Sequence, residues 1–193
     1  MIPRRRTYPR LLCAACLALA MFAAPQAAAA ATPECRHARE IPTRSTVPEA
    51  RRALLCLINV VRTAAGAPIV HTVAALRTAA KRYARRMVDE RFFAHDSPQG
   101  TSVEDRARET GFMNRIGPWE VGETLAWAQD RSATPRAMLY YWLASRAHRS
   151  VILDPHYRHV GIGIAYGAPE QIESDSTAAT YALTFGTRPP ASR

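Results

Sequence analysis

Lysine is almost absent from this 193-residue chain: of its 26 basic residues only Lys81 is a lysine, and the other 25 are arginine. No G-x-S-x-G pattern occurs, so nothing marks a serine nucleophile elbow. Glycine-rich phosphate loops and zinc-finger cysteine spacings are missing too, which removes the sequence basis for a nucleotide hydrolase or a finger domain. Beyond the first 24 residues there is no long apolar run, so the remainder offers no membrane span. No internal repeat is visible. The hydrophobic share, 48%, is too high for a disordered chain, and the length suits one domain with a leader or tail. The formal charge of +10 points at first to nucleic acid or an acidic surface.

That first indication depends on which residues persist. Arg4, Arg5, Arg6 and Arg10 precede an apolar run of 14 residues, Leu11 to Ala24. Pro25 breaks the run and an alanine tract ends at Ala31. This is the basic, apolar and small-residue order of a secretory signal peptide, expected over residues 1–30, and the run is short for a span of roughly 20 residues. Cys13 stands where a lipobox would want an aliphatic residue before Cys16. Cleavage removes four arginines and two cysteines, taking the charge to +6 and leaving Cys35 and Cys56. Two cysteines in an exported chain suggest one disulfide, with two buried thiols as the alternative.

Residues 31–46 read as an irregular lead-in. From Pro48, Ala50, Ala53, Leu54, Leu57, Ile58 and Val61 recur at helical steps, with Gly66 as the stop. Leu76, Ala79, Ala80, Tyr83 and Met87 mark a second helix, with Arg77, Arg82, Arg85 and Arg86 off that face. Such a run is either a solvated face or a phosphate contact. Ser102 with Asp105 predicts a short helix ended by Gly111, and Thr134-Pro135 opens another that carries Met138, Tyr141 and Trp142. Val160, Ile162, Ile164 and Tyr166 then alternate with His159, Gly161, Gly163 and Ala165, a strand. Tyr181, Leu183 and Phe185 mark a second. Helices early and strands late predict an α+β fold with an antiparallel sheet.

The mature chain holds six histidines, at 37, 71, 95, 148, 156 and 159. His156 and His159 enter the first clear strand, where residues three apart point to opposite faces, so one should face inward and the other out. Glu123 is the most unusual acid, because it interrupts the apolar run Val121 to Trp127. Buried there, it needs a partner. It could pair an arginine or cap backbone. With two imidazoles it could bind a divalent metal such as zinc, or it could orient a histidine as a general base. Ser97, two residues from His95, carries no mark of activation.

Several stretches resemble motifs of bacterial CAP-domain proteins, the SCP-like relatives of cysteine-rich secretory proteins, antigen 5 and pathogenesis-related proteins. Phe92 to Pro98 resembles "FFSHTSP", and Gly122 to Trp127 resembles "GENLAW". Trp142 to Leu153 resembles "WMNSPGHRANIL", Asp154 to Gly163 resembles "NPNFTEVGVG", and Leu54 to Gly66 resembles "LLNLINAERAKAG". The motifs follow the family's order across residues 47–187, leaving residues 188–193 as a tail. The resemblance implies a three-layer α-β-α sandwich around a central antiparallel sheet, the CAP/SCP fold, with a cleft. In eukaryotic members the cleft holds two histidines and two glutamates. Carried over, these fall on His95, Glu123 and His156. The second glutamate falls on Ser145 and is missing, and Thr124 replaces the usual asparagine. His148 matches the histidine of "SPGHR". The resemblance thus implies a site of His95, Glu123, His156 and His148 that could hold a divalent metal (zinc), with affinity falling as the imidazoles protonate.

By resemblance, the leading expectation is a secreted or periplasmic, monomeric and non-enzymatic module that binds a lipid, sterol or cell-envelope component in or beside the cleft. The alternative is a metal-dependent hydrolase or peptidase with His95 and His156 on zinc and Glu123 as base. Nucleic acid is not an expected partner, because export argues against it. The charge at most suggests attraction to an anionic envelope.

Overall fold

Apolar side chains at helical steps form α1 at Val47–Ala64, where Ala50, Ala53, Leu54, Leu57 and Ile58 are buried. A computed structural model describes residues 34–114, 116–173 and 176–189. The expected export leader over residues 1–30, with Cys13 and Cys16, lies outside the described residues, as do residues 190–193 of the expected tail. Downstream of α1 come β1 (His71–Thr72), α2 (Ala74–Asp89), α3 (Val103–Glu109), β2 (Glu120–Gln129), α4 (Pro135–Ala144), α5 (Arg146–Leu153), β3 (His159–Tyr166) and β4 (Ala178–Thr187). Two helix starts follow the sequence chemistry closely. Ser102 and Asp105 form a reciprocal capping box on α3, and the Thr134 hydroxyl accepts from the Ala137 N–H at the start of α4.

The four strands form one sheet in the order β1-β3-β4-β2. β3, β4 and β2 pair antiparallel, as expected, whereas the two-residue edge strand β1 pairs parallel with β3. Strand β2 comes from the apolar run around Glu123. Helices α2 and α3 cover one face of the sheet, and α1, α4 and α5 cover the other, giving three layers. Among the described residues no helix is long and apolar enough to cross a membrane.

The two faces of the sheet are built differently. Toward α1, α4 and α5 it presents Val160, Ile162, Ile164, Tyr181, Leu183 and Phe185, all buried in one apolar cluster with Trp142 and Ile152. Toward α2 it presents small residues, and a Cβ at Gly161 or Gly163 would come within 2.1 or 2.0 Å of the α2 backbone at Leu76 or Ala80. The large-small alternation of β3 therefore has two causes. Large residues fill the thick layer, and glycines let a helix rich in alanine lie almost on the strand.

Two further ties hold the first layer. Cys35 and Cys56 form the expected disulfide, with Cα atoms 5.7 Å apart. Arg62 of α1 is fully buried and donates to four carbonyls, those of Pro68, Ile152, Asp154 and Tyr157. Burial and nearby Arg158 push its pKa down, and Asp154 partly offsets them. Three of these carbonyls, those of Ile152, Asp154 and Tyr157, lie at the end of α5 and in the turn to β3, so α1 holds that turn in place.

The glycine seat gives a stability prediction. Gly163→Ala should destabilise the fold by about 3 kcal/mol, because rigid backbone rather than a movable side chain must give way. The thermal midpoint should fall by roughly 6–12 °C. Thermal unfolding followed by circular dichroism checks this, with Ala165→Gly as a milder comparison.

Candidate functional site

Glu123 lies on β2 in register with Thr184 of β4 and faces the α2–α3 layer. Its side chain is only 2% exposed, so its charge must be compensated locally. Compensation comes from α3, where Arg106, also buried, donates to Glu123 Oε1 at 2.8 Å. The other oxygen, Oε2, lies 3.0 Å from His95 Nδ1. Both carboxylate oxygens are therefore engaged.

Arg106 is the hub of this arrangement. Besides Glu123, it donates to the carbonyls of Thr101 at 2.7 Å and His95 at 3.1 Å. Its guanidinium stacks over the Tyr83 ring of α2, 3.4 Å from the centroid. The Tyr83 hydroxyl donates in turn to the Ala94 and His95 carbonyls, both at 2.8 Å. Burial pushes the Tyr83 pKa up to about 12, so the hydroxyl keeps its proton and remains a donor. The loop that carries His95 is thus clamped by α2 and α3 together. Ser97 closes the same loop: its hydroxyl accepts from the Thr101 N–H at 3.0 Å, a structural role.

His95 itself is 60% exposed, with one ring nitrogen on Glu123 and the rest of the ring toward solvent. The hydrogen bond to Glu123 raises its pKa above the ordinary 6.5, outweighing desolvation. His148 of α5 lies within electrostatic reach. Burial, and then the charge of His95, lower its pKa. Its ring lies 6.1 Å from that of Tyr141, and its Nδ1 is buried with no hydrogen-bond partner among the described residues. The two imidazoles are thus driven apart, His95 toward the charged form and His148 toward the neutral one.

His156 does not join this group. It precedes β3 rather than entering it, its side chain is 76% exposed, and its Nδ1 lies 3.0 Å from Asp154 Oδ1. The same oxygen accepts from the His156 backbone N–H, so a local turn holds the ring. His159, at the start of β3, is half-buried against Phe112. The two histidines differ in exposure because of this turn, not because both lie in a strand.

The donor set does not fit a divalent ion. A guanidinium already occupies one oxygen of Glu123, and its positive charge would face any incoming cation. Among the described residues, no three His, Cys, Asp or Glu side chains are grouped so as to hold a metal ion.

A separate concavity lies on the opposite side of the sheet. A groove of about 620 Å³ runs between α1 and α4, floored by Leu57, Val60, Val61, Leu139 and Leu143. Arg39, Arg136, Glu34 and Tyr140 line its polar part. The Arg136 Nε is buried without a hydrogen-bond partner among the described residues.

The structure brings Glu123 and His95 of the expected set together, with His148 within electrostatic reach, and adds Arg106 and Tyr83, which no motif singled out. The need for a partner beside a buried Glu123 was readable, but which of the chain's many arginines would supply it was not.

Comparison with known proteins bears on the fold. The profile of the cysteine-rich secretory protein family (CAP) matches residues 55–178. The protein YkwD of Bacillus subtilis is 28% identical over 119 residues, which cover 62% of this chain and 44% of YkwD. The chain thus spans less than half the length of that relative. An extracellular SCP-domain protein of Bacillus anthracis superposes with a TM-score of 0.55 at 21% identity, over 75% of this chain and 44% of that one. An outer surface protein of Borrelia burgdorferi superposes with a TM-score of 0.57 at 18% identity, over 73% of this chain and 94% of that one.

The clamp around Glu123 can be tested in two ways. Arg106→Leu should cost about 3–5 kcal/mol, because it strands a buried carboxylate, whereas adding Glu123→Leu should recover much of the loss. Denaturant unfolding of the single and double variants checks this. For His95, the raised pKa means that its pairing with Glu123 stabilises the fold fully below pH 6.5 and is lost as pH rises through the higher folded value. An NMR titration of the imidazole should show a midpoint above 6.5 that falls back in Glu123→Gln.

Proposed function

Because the chain belongs to the cysteine-rich secretory protein (CAP) family, we propose that it is an exported, non-enzymatic binding protein whose ligand is a single-chain amphiphile with an anionic head. The observation that carries this reading is the groove between α1 and α4, apolar along its floor with Arg39 and Arg136 beside it. Its volume of about 620 Å³ falls in the range of small-molecule sites. An acyl chain would cover Leu57, Val60, Val61, Leu139 and Leu143, and a carboxylate or phosphate head would supply the acceptor that Arg136 Nε lacks. The lipid expected from sequence in or beside the cleft is thereby assigned to a groove across the sheet from Glu123.

Export is supported by the leader pattern, by the Cys35–Cys56 disulfide, and by relatives described as extracellular or as outer surface proteins. The hydrolase alternative has no support from the side chains. Glu123 has both oxygens engaged by Arg106 and His95, Ser145 stands where a second carboxylate would be, and His156 is turned to Asp154.

The test uses a fluorescent fatty acid as the probe and the alcohol of the same chain length as its neutral counterpart. The wild-type protein should bind the acid more tightly. Arg39→Ala with Arg136→Ala should weaken the acid by about tenfold and leave the alcohol nearly unchanged. Val60→Asp should weaken both. Binding that none of these substitutions alters would place any lipid site elsewhere and refute the reading.

A further inference from the structure

A different face of the molecule carries a second feature. Two open grooves, of about 370 and about 230 Å³, adjoin at Pro48 and Arg51. α1 forms one wall and α2 the other, and Ile162, Ile164, Ala165 and Tyr166 of β3 contribute to the lining. Both walls are cationic. From α2 come Arg77, Lys81 and Arg85, spaced four residues apart and so on one helical stripe. From the α1 side come Arg44, Arg51 and Arg52.

The acids facing these groups are few and already engaged. Asp89 pairs with Arg85 at 3.2 Å, and Glu49 pairs with Arg52 at 2.7 Å. Arg44 sits over the Tyr166 ring, 5.2 Å from its centroid. Among the described residues, Arg44, Arg51, Arg77 and Lys81 have no carboxylate partner. Arg51 is half-buried, and its pKa is lowered first by burial and then by Arg77 across the groove and by Arg52, with Glu49 partly offsetting them. Two facing rows of like charge repel each other, and an anion lying between them relieves that repulsion.

We propose that this channel binds a linear, phosphate-bearing polymer that runs between α1 and α2. Arginine forks suit phosphate oxygens in bidentate geometry, and cations repeated along both walls suit a chain of charges better than a single ion. A groove receives a strand, whereas a flat bilayer would touch only its rims. The ligand is not a nucleic acid strand, because the lining offers one ring, Tyr166, and Arg44 already covers it, leaving no stacking platform for bases. The arginine run of α2 therefore divides: Arg77 and Arg85 face this channel, whereas Arg86 pairs with Glu90 at 2.8 Å on another side. The proposal is independent of the amphiphile groove, since neither Arg39 nor Arg136 takes part.

The test is fluorescence anisotropy of end-labelled inorganic polyphosphate with the full chain across a salt series. Wild type should bind, with affinity falling steeply as salt rises. Arg51→Ala/Arg77→Ala/Lys81→Ala should lose about tenfold or more in affinity and lower the log–log salt slope by about 2. Lys81→Glu/Arg85→Glu, both exposed and away from the core, should abolish binding. Arg82→Ala/Arg131→Ala/Arg146→Ala removes the same charge elsewhere and should leave affinity within about twofold. Equal loss in that control would overturn the proposal in favour of general charge attraction. Three other results would also overturn it: orthophosphate competing as well as the polymer at equal phosphate, oligo-dT of equal charge binding more tightly, or binding confined to anionic vesicles.

Discussion

Burial of the Glu123 carboxylate sets the terms for its surroundings. A charge that is 2% exposed inside a sheet requires a cation of fixed position, and Arg106 supplies it from α3. Arg106 then needs partners for its remaining donors. It takes the carbonyls of His95 and Thr101, which holds the loop between α2 and α3 against Glu123. Tyr83 completes the clamp beneath the guanidinium and holds the same loop from below. His95 is presented to solvent at one defined place because of this chain of obligations, which begins with one acid on one strand.

The clamp depends on the close seat of α2. Tyr83 reaches the His95 loop because α2 lies almost in contact with β3, and Gly161 and Gly163 permit that approach. The same approach brings Arg77, Lys81 and Arg85 up to α1 and shapes the cationic channel. The opposite layer is thick, filled by Trp142, Tyr181 and Phe185, and there the apolar groove between α1 and α4 opens. One asymmetry of the sheet, small residues on one face and large on the other, thus separates three surfaces of different chemistry. These are a polar clamp with two imidazoles, a cationic channel, and an apolar groove edged by arginines.

Much of the fold was legible because periodicity is a local property. The helical steps of α1 and α2 record how each helix divides its side chains between core and water, the caps at Ser102 and Thr134 mark where helices start, and the alternation of β3 and β4, buried on both faces, separates large side chains from small ones. Strand β2 was harder to read, because its apolar run shows little alternation and a carboxylate sits in the middle. The parallel edge strand β1 was not legible at all, since two residues carry no period. At the site, motif order identified His95, Glu123 and His148. It also suggested His156, which Asp154 instead holds in a turn before β3.

The sequence by itself determined that a buried Glu123 must find a partner and that Cys35 and Cys56 could pair. The first follows from the cost of burying a charge and the second from the count of cysteines. Only the tertiary structure decided which of 25 arginines answers Glu123. It also decided which histidine stands near His95, and that the arginines of α2 divide between an open channel and local pairs. Those choices are set by where α2, α3 and α5 land on the sheet, and that placement is fixed by contacts between residues far apart in the chain, which no local pattern records.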